Sequence, residues 1–419
     1  MSRHQTQLGL KQELTQQQQR SRIALLAILF VDNLALAVVY PLFTPLILKP
    51  IYSLLPAHFS PSTRLLFLAL LIASFPLAQF FGGPFIGNLA DTMTRKKAFL
   101  IALVGELIGF FLSAFAMEQL SYPLLLCSRL VTGFFAGNLL LCLVSLADLS
   151  YYPKQRAKNF GLVATFSGAG FVIAIILGGL LSDSHLDSLF SSALPFYLTG
   201  ALVFINIAIL LLYFTETKAA LQSPINGMAK HCKQITCILK TKKLGALYIT
   251  FFFFMLGWTL TLQFLPTLLI EHFSAKKIII ALTFIGLGVT WCFSNTLVNR
   301  FFLARFQSTS LILSGLILST LCLFIVSQAR SLLFFFHLIL IGTLGASLTW
   351  TNCLTLISSR TPISLQGKML GIAQSVAAIS MIFAPLFGGL VGEYDIWTIY
   401  IAAASSLLIA TLTFNPSYV

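Results

Sequence analysis

The chain has 419 residues and a net charge of +14, with 58% of residues hydrophobic and only 9% charged, against about 25% charged in soluble proteins. That is more apolar surface than one globular core can use, so lipid must cover the remainder. Apolar runs of roughly 18–27 residues recur along nearly the whole length. Each can cross a hydrocarbon layer of about 30 Å at about 1.5 Å per helical residue, which excludes a single membrane tether. The runs are continuously apolar and rich in Phe, Leu, Gly and Pro, whereas barrel strands would alternate polar and apolar over about ten residues, so the predicted fold is an all-α membrane protein.

In chain order, residues 1–22 are Gln-rich and polar, with no apolar core near Met1 and no small-residue cleavage site, so the first span is expected to direct insertion. Twelve spans are predicted, roughly at 23–48, 64–90, 98–118, 122–148, 160–182, 194–214, 244–270, 277–299, 308–328, 331–357, 367–392 and 396–414. The stretch 215–243 is polar and lysine-rich and divides the spans six and six. The expected organisation is an N-terminal segment 1–22, a six-helix bundle 23–214, a linker 215–243, a second six-helix bundle 244–414 and a tail 415–419.

The basic residues choose an orientation. One side collects Arg3, Lys11, Arg20 and Arg22, then Arg95, Lys96 and Lys97, Lys154, Arg156 and Lys158, the linker lysines, Arg300, Arg305, Arg360 and Lys368; the other holds Lys49, Arg64, Lys276, Lys277 and Arg330. Positive residues stay inside, so both termini and the linker are predicted to be cytoplasmic. Basic loops against an anionic leaflet account for the net charge without any nucleic acid.

An internal repeat supports two related halves. Residues 158–180 align without gaps on 368–390, with identity at Lys158/Lys368, the first Gly, an Ala, the Gly178–Gly179 and Gly388–Gly389 pairs and the final Leu. A weaker echo joins Gly87–Asp91 to Asn295–Asn299. Repeated six-helix halves with a site between them are the architecture of alternating-access transporters.

Several residues break the apolar pattern in ways that carry chemistry. Asp32 lies about 15 Å into the first span, where a charge costs at least about 2.5–3.5 kcal/mol, so it must face a wet cavity, pair with a cation or stay protonated. Glu106 in the third span is a second buried acid, either a coupling group or simply protonated against Gly105 and Gly109. Arg129 is the one basic residue deep in a span; it either tunes a carboxylate that moves a proton or forms a static ion pair ordering the N-terminal half. Gln79, Trp258, Gln263, Trp350 and Gln374 sit at central depths as candidate cavity lining, with interhelical hydrogen bonding the alternative for each. His337 lies near an outer helix end. His231, Cys232 and Cys237 match no familiar zinc spacing, and the seven cysteines form no paired framework. No metal site is expected. There is no G-x-x-x-x-G-K-[ST] loop and no H-E-x-x-H, so neither nucleotide drive nor that hydrolytic chemistry has support, and no cofactor is expected.

The run Gly87, Asn88, Leu89, Ala90, Asp91, Thr92, Met93, Thr94, Arg95, Lys96, Lys97 resembles the G-x-L-x-D-R-x-G-R-K loop signature of the major facilitator superfamily, with Thr92 and Thr94 replacing the usual Arg and Gly. Asp32 followed nine residues later by Pro41, then by Pro45, resembles the first span of the tetracycline and multidrug efflux branch. Arg129 and Gly133 are similar to its fourth-span R-x-x-x-G signature. In the fifth span that branch carries G-x-x-x-G-P-x-x-G-G; here Gly170, Gly178 and Gly179 remain, the central Gly-Pro is absent, and the eleventh span has Pro385, Gly388 and Gly389 instead.

The resemblance implies the twelve-helix major facilitator fold and a drug/proton antiporter rather than an enzyme. It implies a cytoplasmic gate at Gly87, Asp91, Arg95 and Lys96, proton coupling by Asp32, Arg129 and Glu106, and helix packing or rocking at the small residues and Pro385. The expected activity is proton-coupled export of a small amphipathic organic molecule by alternating access, from a bacterial inner membrane and as a monomer. Proton-coupled uptake of a nutrient or metal chelate is the alternative that the missing Gly-Pro keeps open. A membrane-embedded enzyme has no visible constellation beyond isolated acids, and a scaffold that has lost transport would move no solute in a broad panel.

The charge distribution makes a direct prediction. A cysteine at Asp187 should react with an impermeant thiol reagent from outside the cell, and one at Lys233 only from the cytoplasm; the reverse labelling would overturn the orientation.

Overall fold

In the computed structural model, residues 16–48, 54–56, 58–150, 152–181, 193–216, 242–362, 365–392 and 395–415 are described. Eleven helices among them are long and apolar enough to cross a membrane. With the first helix, Gln16–Leu48, they make the twelve spans of a multi-pass integral membrane protein. The others begin with Pro61–Thr92, Arg95–Glu118 and a fourth span in two pieces, Tyr122–Phe135 and Asn138–Asp148. Pro153–Leu181 and Leu194–Tyr213 complete the first half. Lys242–Glu271 opens the second half, followed by a composite eighth span over 277–303, Ser308–Val326, Leu332–Ser359, Gln366–Gly392 and Ile396–Thr413. The predicted position 187 and the whole metal-like cluster at 231–237 lie outside the described residues, as do most of the linker and both chain ends.

Local sequence sets several of these boundaries. Ser60 accepts from the backbone N–H of Thr63, with Pro61 in the first helical turn, and Thr94 accepts from Lys97 N; both are N-cap arrangements that satisfy a donor the helix itself cannot. Gly87 and Asp91, read from sequence as part of a loop, are helical instead: the second span runs on to Thr92. The consequence is useful, because four residues along a helix return to one face. The echo at Asn295–Asn299 is likewise helical, most of it in a π turn at Ser294–Val298, where one extra residue per turn turns Ser294 and Asn295 toward the tenth span. Ser294 bonds Ser347, and Thr351 donates to Asn295 Oδ1.

The fourth span breaks at Ala136 and Gly137, whose dihedrals leave the helical region. A Cβ on Gly137 would meet Ile86 Cγ2 at 2.5 Å, so only a glycine lets the break lie this close to the second span.

The two halves meet along two seams, both concentrated toward the end of the bundle that bears the basic loops. In the first seam, spans two and eleven cross with Gly83 against Gly371 and Gly87 against Gly367, carbonyl oxygen to α-carbon, and Ser375 Oγ donates to Phe80 O at 2.7 Å. Small residues permit this approach, and each backbone stands where a side chain would otherwise be. In the second seam, spans five and eight join through Gly161 against Asn295 O, Thr165 Oγ1 to Thr296 Oγ1 at 2.8 Å, and Cys292 Sγ to Thr165 O at 3.2 Å. The second piece of span four also packs on span eleven. The structure is therefore closed at the basic end.

At the opposite end, the buried Arg64 donates to Ile47 O at 3.0 Å and Pro56 O at 2.8 Å, tying the end of span one to its loop. Arg64→Ala leaves both carbonyls unpaired and should destabilise the protein by about 2–3 kcal/mol. A lower Tm in detergent, partly restored by Arg64→Lys, is the expected result; an unchanged Tm would show that the clamp carries no stability.

Candidate functional site

The bundle encloses two carboxyl groups on one amide. Asn138, the first residue of the second piece of span four, donates from Nδ2 to Asp32 Oδ1 at 2.8 Å and to Glu106 Oε2 at 2.7 Å. All three side chains are buried, at 5%, 0% and 1% exposure for Asp32, Glu106 and Asn138. Their placement follows from small residues: a Cβ on Gly109 would strike Thr132, one on Gly105 would strike the Phe135 ring, and this contact lets span three carry Glu106 to the break. Glu106 therefore belongs to the acid pair rather than resting against Gly105 and Gly109. The pair is left under-satisfied, since Glu106 Oε1 and Asn138 Oδ1 are buried with no hydrogen-bond partner. An amide cannot neutralise a carboxylate, so the cluster is stable only with little net charge and is a place where a proton can be taken up or given back.

Arg129 does not join it. Asp32 forms no ion pair or hydrogen bond with Arg129 among the described residues. The guanidinium instead lies 5.1 Å from the Phe43 ring centroid and 4.8 Å from that of Phe75, within cation–π range. Gly133, one turn on, abuts the backbone of Phe75. Arg129 and Gly133 thus form one face of span four against spans one and two.

At the basic end, Asp91 is shared between the halves. Its two oxygens accept from the backbone N–H groups of Gly367 and Lys368, both at 2.9 Å. These are orphan donors at the start of span eleven, where the helix dipole also favours an anion. Arg95 Nη1 is 4.0 Å from Asp91 Oδ1, whereas its Nε donates to Asp148 Oδ2 at 2.9 Å and its Nη1 donates to Ala90 O. Arg95 thus sits closer to Asp148, the last residue of span four, than to Asp91, and Asp91 makes two bonds across to the other half. Glu216 accepts from the backbone N–H groups of Arg95 at 2.8 Å and Lys96 at 3.0 Å, while Lys96 Nζ holds Leu211 O at 3.0 Å. This network ties spans two, three, four, six and eleven together.

Asn138, Asp148 and Glu216 escape the sequence reading. A signal exists for the last two: between the first and last spans, Asp91, Asp148 and Glu216 are the acids that fall among the basic loops. Nothing in the pattern marks Asn138, one amide in an apolar run.

The remaining candidates scatter. Gln79 Nε2 donates to Ala136 O at 3.3 Å, beside the break. Trp258 is buried, Gln263 is exposed, and Gln374 lies at the first seam with its Cβ near Gly83. Gly170 packs on Phe30 O of span one, and Gly388 on Phe264 of span seven, so both are contacts within a half; Gly389 faces open space. Gly178, Gly179 and Pro385 lie inside their helices, and the surroundings of Gly178 and Gly179 fall outside the description. His337 is exposed and contacts Leu333 O.

The sequence model described as Major Facilitator Superfamily matches residues 25–385. The chain is 26% identical over 347 residues to the quinolone resistance protein NorA of Staphylococcus aureus strain MSSA476, spanning 81% of this chain and 84% of that protein. A shorter stretch, 199 residues at 26% identity, matches the class H tetracycline resistance protein of Pasteurella multocida, covering 48% of this chain and 45% of that one. Among solved structures, the human organic anion transporter MFSD10 superimposes with a TM-score of 0.80 at 16% identity, over 95% of this chain and 99% of that one. The proton:xylose symporter XylE gives 0.74 at 15% identity over 94% of each. At such identities the two structures speak for the fold alone.

The geometry around Asp91 yields a test of the expected gate. Asn at position 91 keeps one acceptor but turns an NH₂ group toward a backbone N–H, so Asp91→Asn should loosen the first seam without touching apolar surface. Membrane insertion should be unchanged, a cysteine at Gln374 should become more reactive from the basic-loop side, and solute movement should fall at least about tenfold. Unaltered reactivity and unaltered solute movement would remove Asp91 from the gate.

Proposed function

This chain belongs to the major facilitator superfamily, and from that premise we propose that it exports a small amphipathic organic molecule in exchange for protons, by alternating access. The observation that carries the reading is the acid pair Asp32 and Glu106 on the single amide of Asn138. Two relatives that match part or most of the chain are named as drug resistance proteins, which favours export over uptake.

The proposed cycle uses only groups already described. A proton bound at the pair removes a charge that the bilayer interior penalises by several kcal/mol, and its release restores that charge. Asn138 heads a short helix, Asn138–Asp148, about 16 Å long. Its far end carries Asp148, bonded to Arg95 in the gate. Any shift of Asn138 as the pair changes its protonation is handed along this rod to Asp148 and to the packing of span eleven. Proton occupancy and closure of the basic end are coupled in this way without a direct contact between them. Arg129 acts as a fixed positive charge on the same span, bracing spans one and two.

In this reading the halves are 23–214 and 244–414, joined by a linker, with the basic end cytoplasmic; the described state is then the one closed to the cytoplasm. Glu216 and Lys96 fasten the last turn of span six to the gate and so bring the start of the linker under its control.

Asp32→Asn tests the coupling. Asn cannot titrate, so in reconstituted vesicles with an imposed pH gradient the variant should lose uphill transport while retaining binding or downhill exchange. If Asp32→Asn still concentrates solute against its gradient, coupling does not reside at this residue and the equivalent change at Glu106 becomes decisive. The direction is read separately, as dye efflux from expressing cells that collapses with the proton gradient; accumulation instead would establish uptake.

A further inference from the structure

The two seams differ at the basic end in the charges set beside them. Lys158 and Lys368 are equivalent in the internal repeat, and at the first seam the backbone N–H of Lys368 meets the carboxylate of Asp91. Span five offers no such donor. It begins at Pro153, more than a turn before Lys158, so the N–H groups of Ala157 and Lys158 are already inside the helical ladder, and Asn299 stands at the position that echoes Asp91. The fixed charges that bear on the Lys158 ammonium are the guanidinium groups of Arg300 and Arg22, both of its own sign.

Packing brings these three cations together from both halves. Ala157, next to Lys158, is buried with Leu303 of span eight and Leu311 of span nine. Gly161, one turn further on, lies against span eight, where its Cβ would stand 2.9 Å from Asn295 O and 3.2 Å from Asn299 Nδ2. Arg300 follows Asn299 directly, so Lys158 and Arg300 stand on the two sides of one seam. Arg22 is placed by its neighbour: Ser21 Oγ is 2.6 Å from Thr215 Oγ1 and accepts from Thr215 N at 3.1 Å, which pins the start of span one to the end of span six. None of the three makes a hydrogen bond or ion pair among the described residues. Lys158 and Arg300 are exposed and Arg22 is half-buried. The apolar side chains beside them are exposed as well, Ile23 at 62%, Phe301 at 57% and Leu297, one turn before Arg300, at 56%. In a membrane those side chains meet acyl chains, which sets the cations at the height of the headgroups.

We propose that Arg22, Lys158 and Arg300 bind the phosphate of an anionic phospholipid in the leaflet at the basic end, and that this lipid holds the second seam closed. Three like charges so placed repel one another. A phosphate removes that repulsion and accepts charge-assisted hydrogen bonds from two guanidinium groups and an ammonium. The anion is a lipid's and not a soluble one because its acyl chains can run along the exposed Ile23 and Leu297, adding apolar contact to the charge pairing. Arg22 and Lys158 belong to the N-terminal half and Arg300 to the C-terminal half, so the phosphate keeps all three partners only while spans five and eight stay together. The lipid therefore binds the closed state more tightly and shifts the equilibrium toward it. Asp91 closes the first seam with a carboxylate of the chain; the second seam takes its anion from the bilayer. This goes beyond the transport reading and requires neither a solute nor a proton.

The test uses the full-length protein. In detergent, dihexanoyl-phosphatidylglycerol is titrated alongside its zwitterionic counterpart dihexanoyl-phosphatidylcholine and inorganic phosphate. The phosphatidylglycerol should bind at least about fivefold more tightly than either, and its affinity should fall as salt is raised. Lys158→Gln and Arg300→Gln should each weaken it by about fivefold. Lys158→Arg should keep it, and Lys97→Gln, which removes a charge at the same end on span three, should have no effect. Closure is read in phosphatidylcholine nanodiscs with Thr296→Cys, a position inside the second seam, by mass spectrometry of its peptide after an impermeant thiol reagent. Adding phosphatidylglycerol should slow this labelling at least about threefold, and Arg300→Gln should abolish the difference. Equal affinity for the two lipids, or as much weakening by Lys97→Gln as by Arg300→Gln, would overturn the site. Inorganic phosphate bound as tightly as the lipid would overturn the lipid as the source of the anion, and lipid binding without slower labelling would overturn the closure. None of these readouts involves transport, so each outcome is separate from that of the Asp32→Asn experiment.

Discussion

The side chain of Asn138 holds the carboxyls of Asp32 and Glu106 together inside a lipid-covered bundle, and much of the N-terminal half is shaped by the need to do so. Acids at this depth cannot rely on water, and an amide offers them only two donors. Span four must break for Asn138 to reach both, and Gly137 is what permits the break beside Ile86. Span three must press on span four for Glu106 to arrive, which Gly105 and Gly109 allow. The same break gives the following helix a free start, whose dipole is positive toward the acids. Polar need and steric permission therefore come from different residues, and the cluster exists only where they coincide.

The two seams between the halves are similar in architecture and unequal in chemistry. The first is closed by a carboxylate: Asp91 reaches across to the start of span eleven through two charge-assisted bonds. At the position in span eight that echoes Asp91 stands Asn299, whose Oδ1 accepts from Asn352 at 2.9 Å within its own half. The second seam is held instead by hydroxyls, a thiol and backbone carbonyls. Charge-assisted bonds are strong when dry and are weakened by water and salt, so the first seam is the more sensitive of the two to hydration at the basic end. The neutral seam slides with less penalty.

The acids divide in the same way. Asp32 and Glu106 give the N-terminal half its interior charge, whereas the corresponding depth of the other half carries indoles, amides and hydroxyls.

The spans were legible because lipid imposes a length and a composition on every crossing segment: most predicted boundaries fall within a few residues of the observed helices, from 64–90 against Pro61–Thr92 to 396–414 against Ile396–Thr413. Asp32, Asp91, Glu106 and Arg129 were legible as candidates because a charge in or beside an apolar run is conspicuous by its cost. Their partners were not. Asn138 and the Gly367–Lys368 amides look ordinary in sequence, since an amide or a backbone N–H is unremarkable in any helix, and each meets its partner carboxylate from more than thirty residues away. Sequence alone determined the twelve spans, the repeated halves and the positions of buried charge, all of which follow from transfer between water and lipid. Only the tertiary structure decided that Asp32 faces Glu106 and Asn138 and not Arg129, and that Asp91 binds the opposite half more tightly than Arg95, because pairing depends on distances set by close helix packing, which residue spacing does not encode.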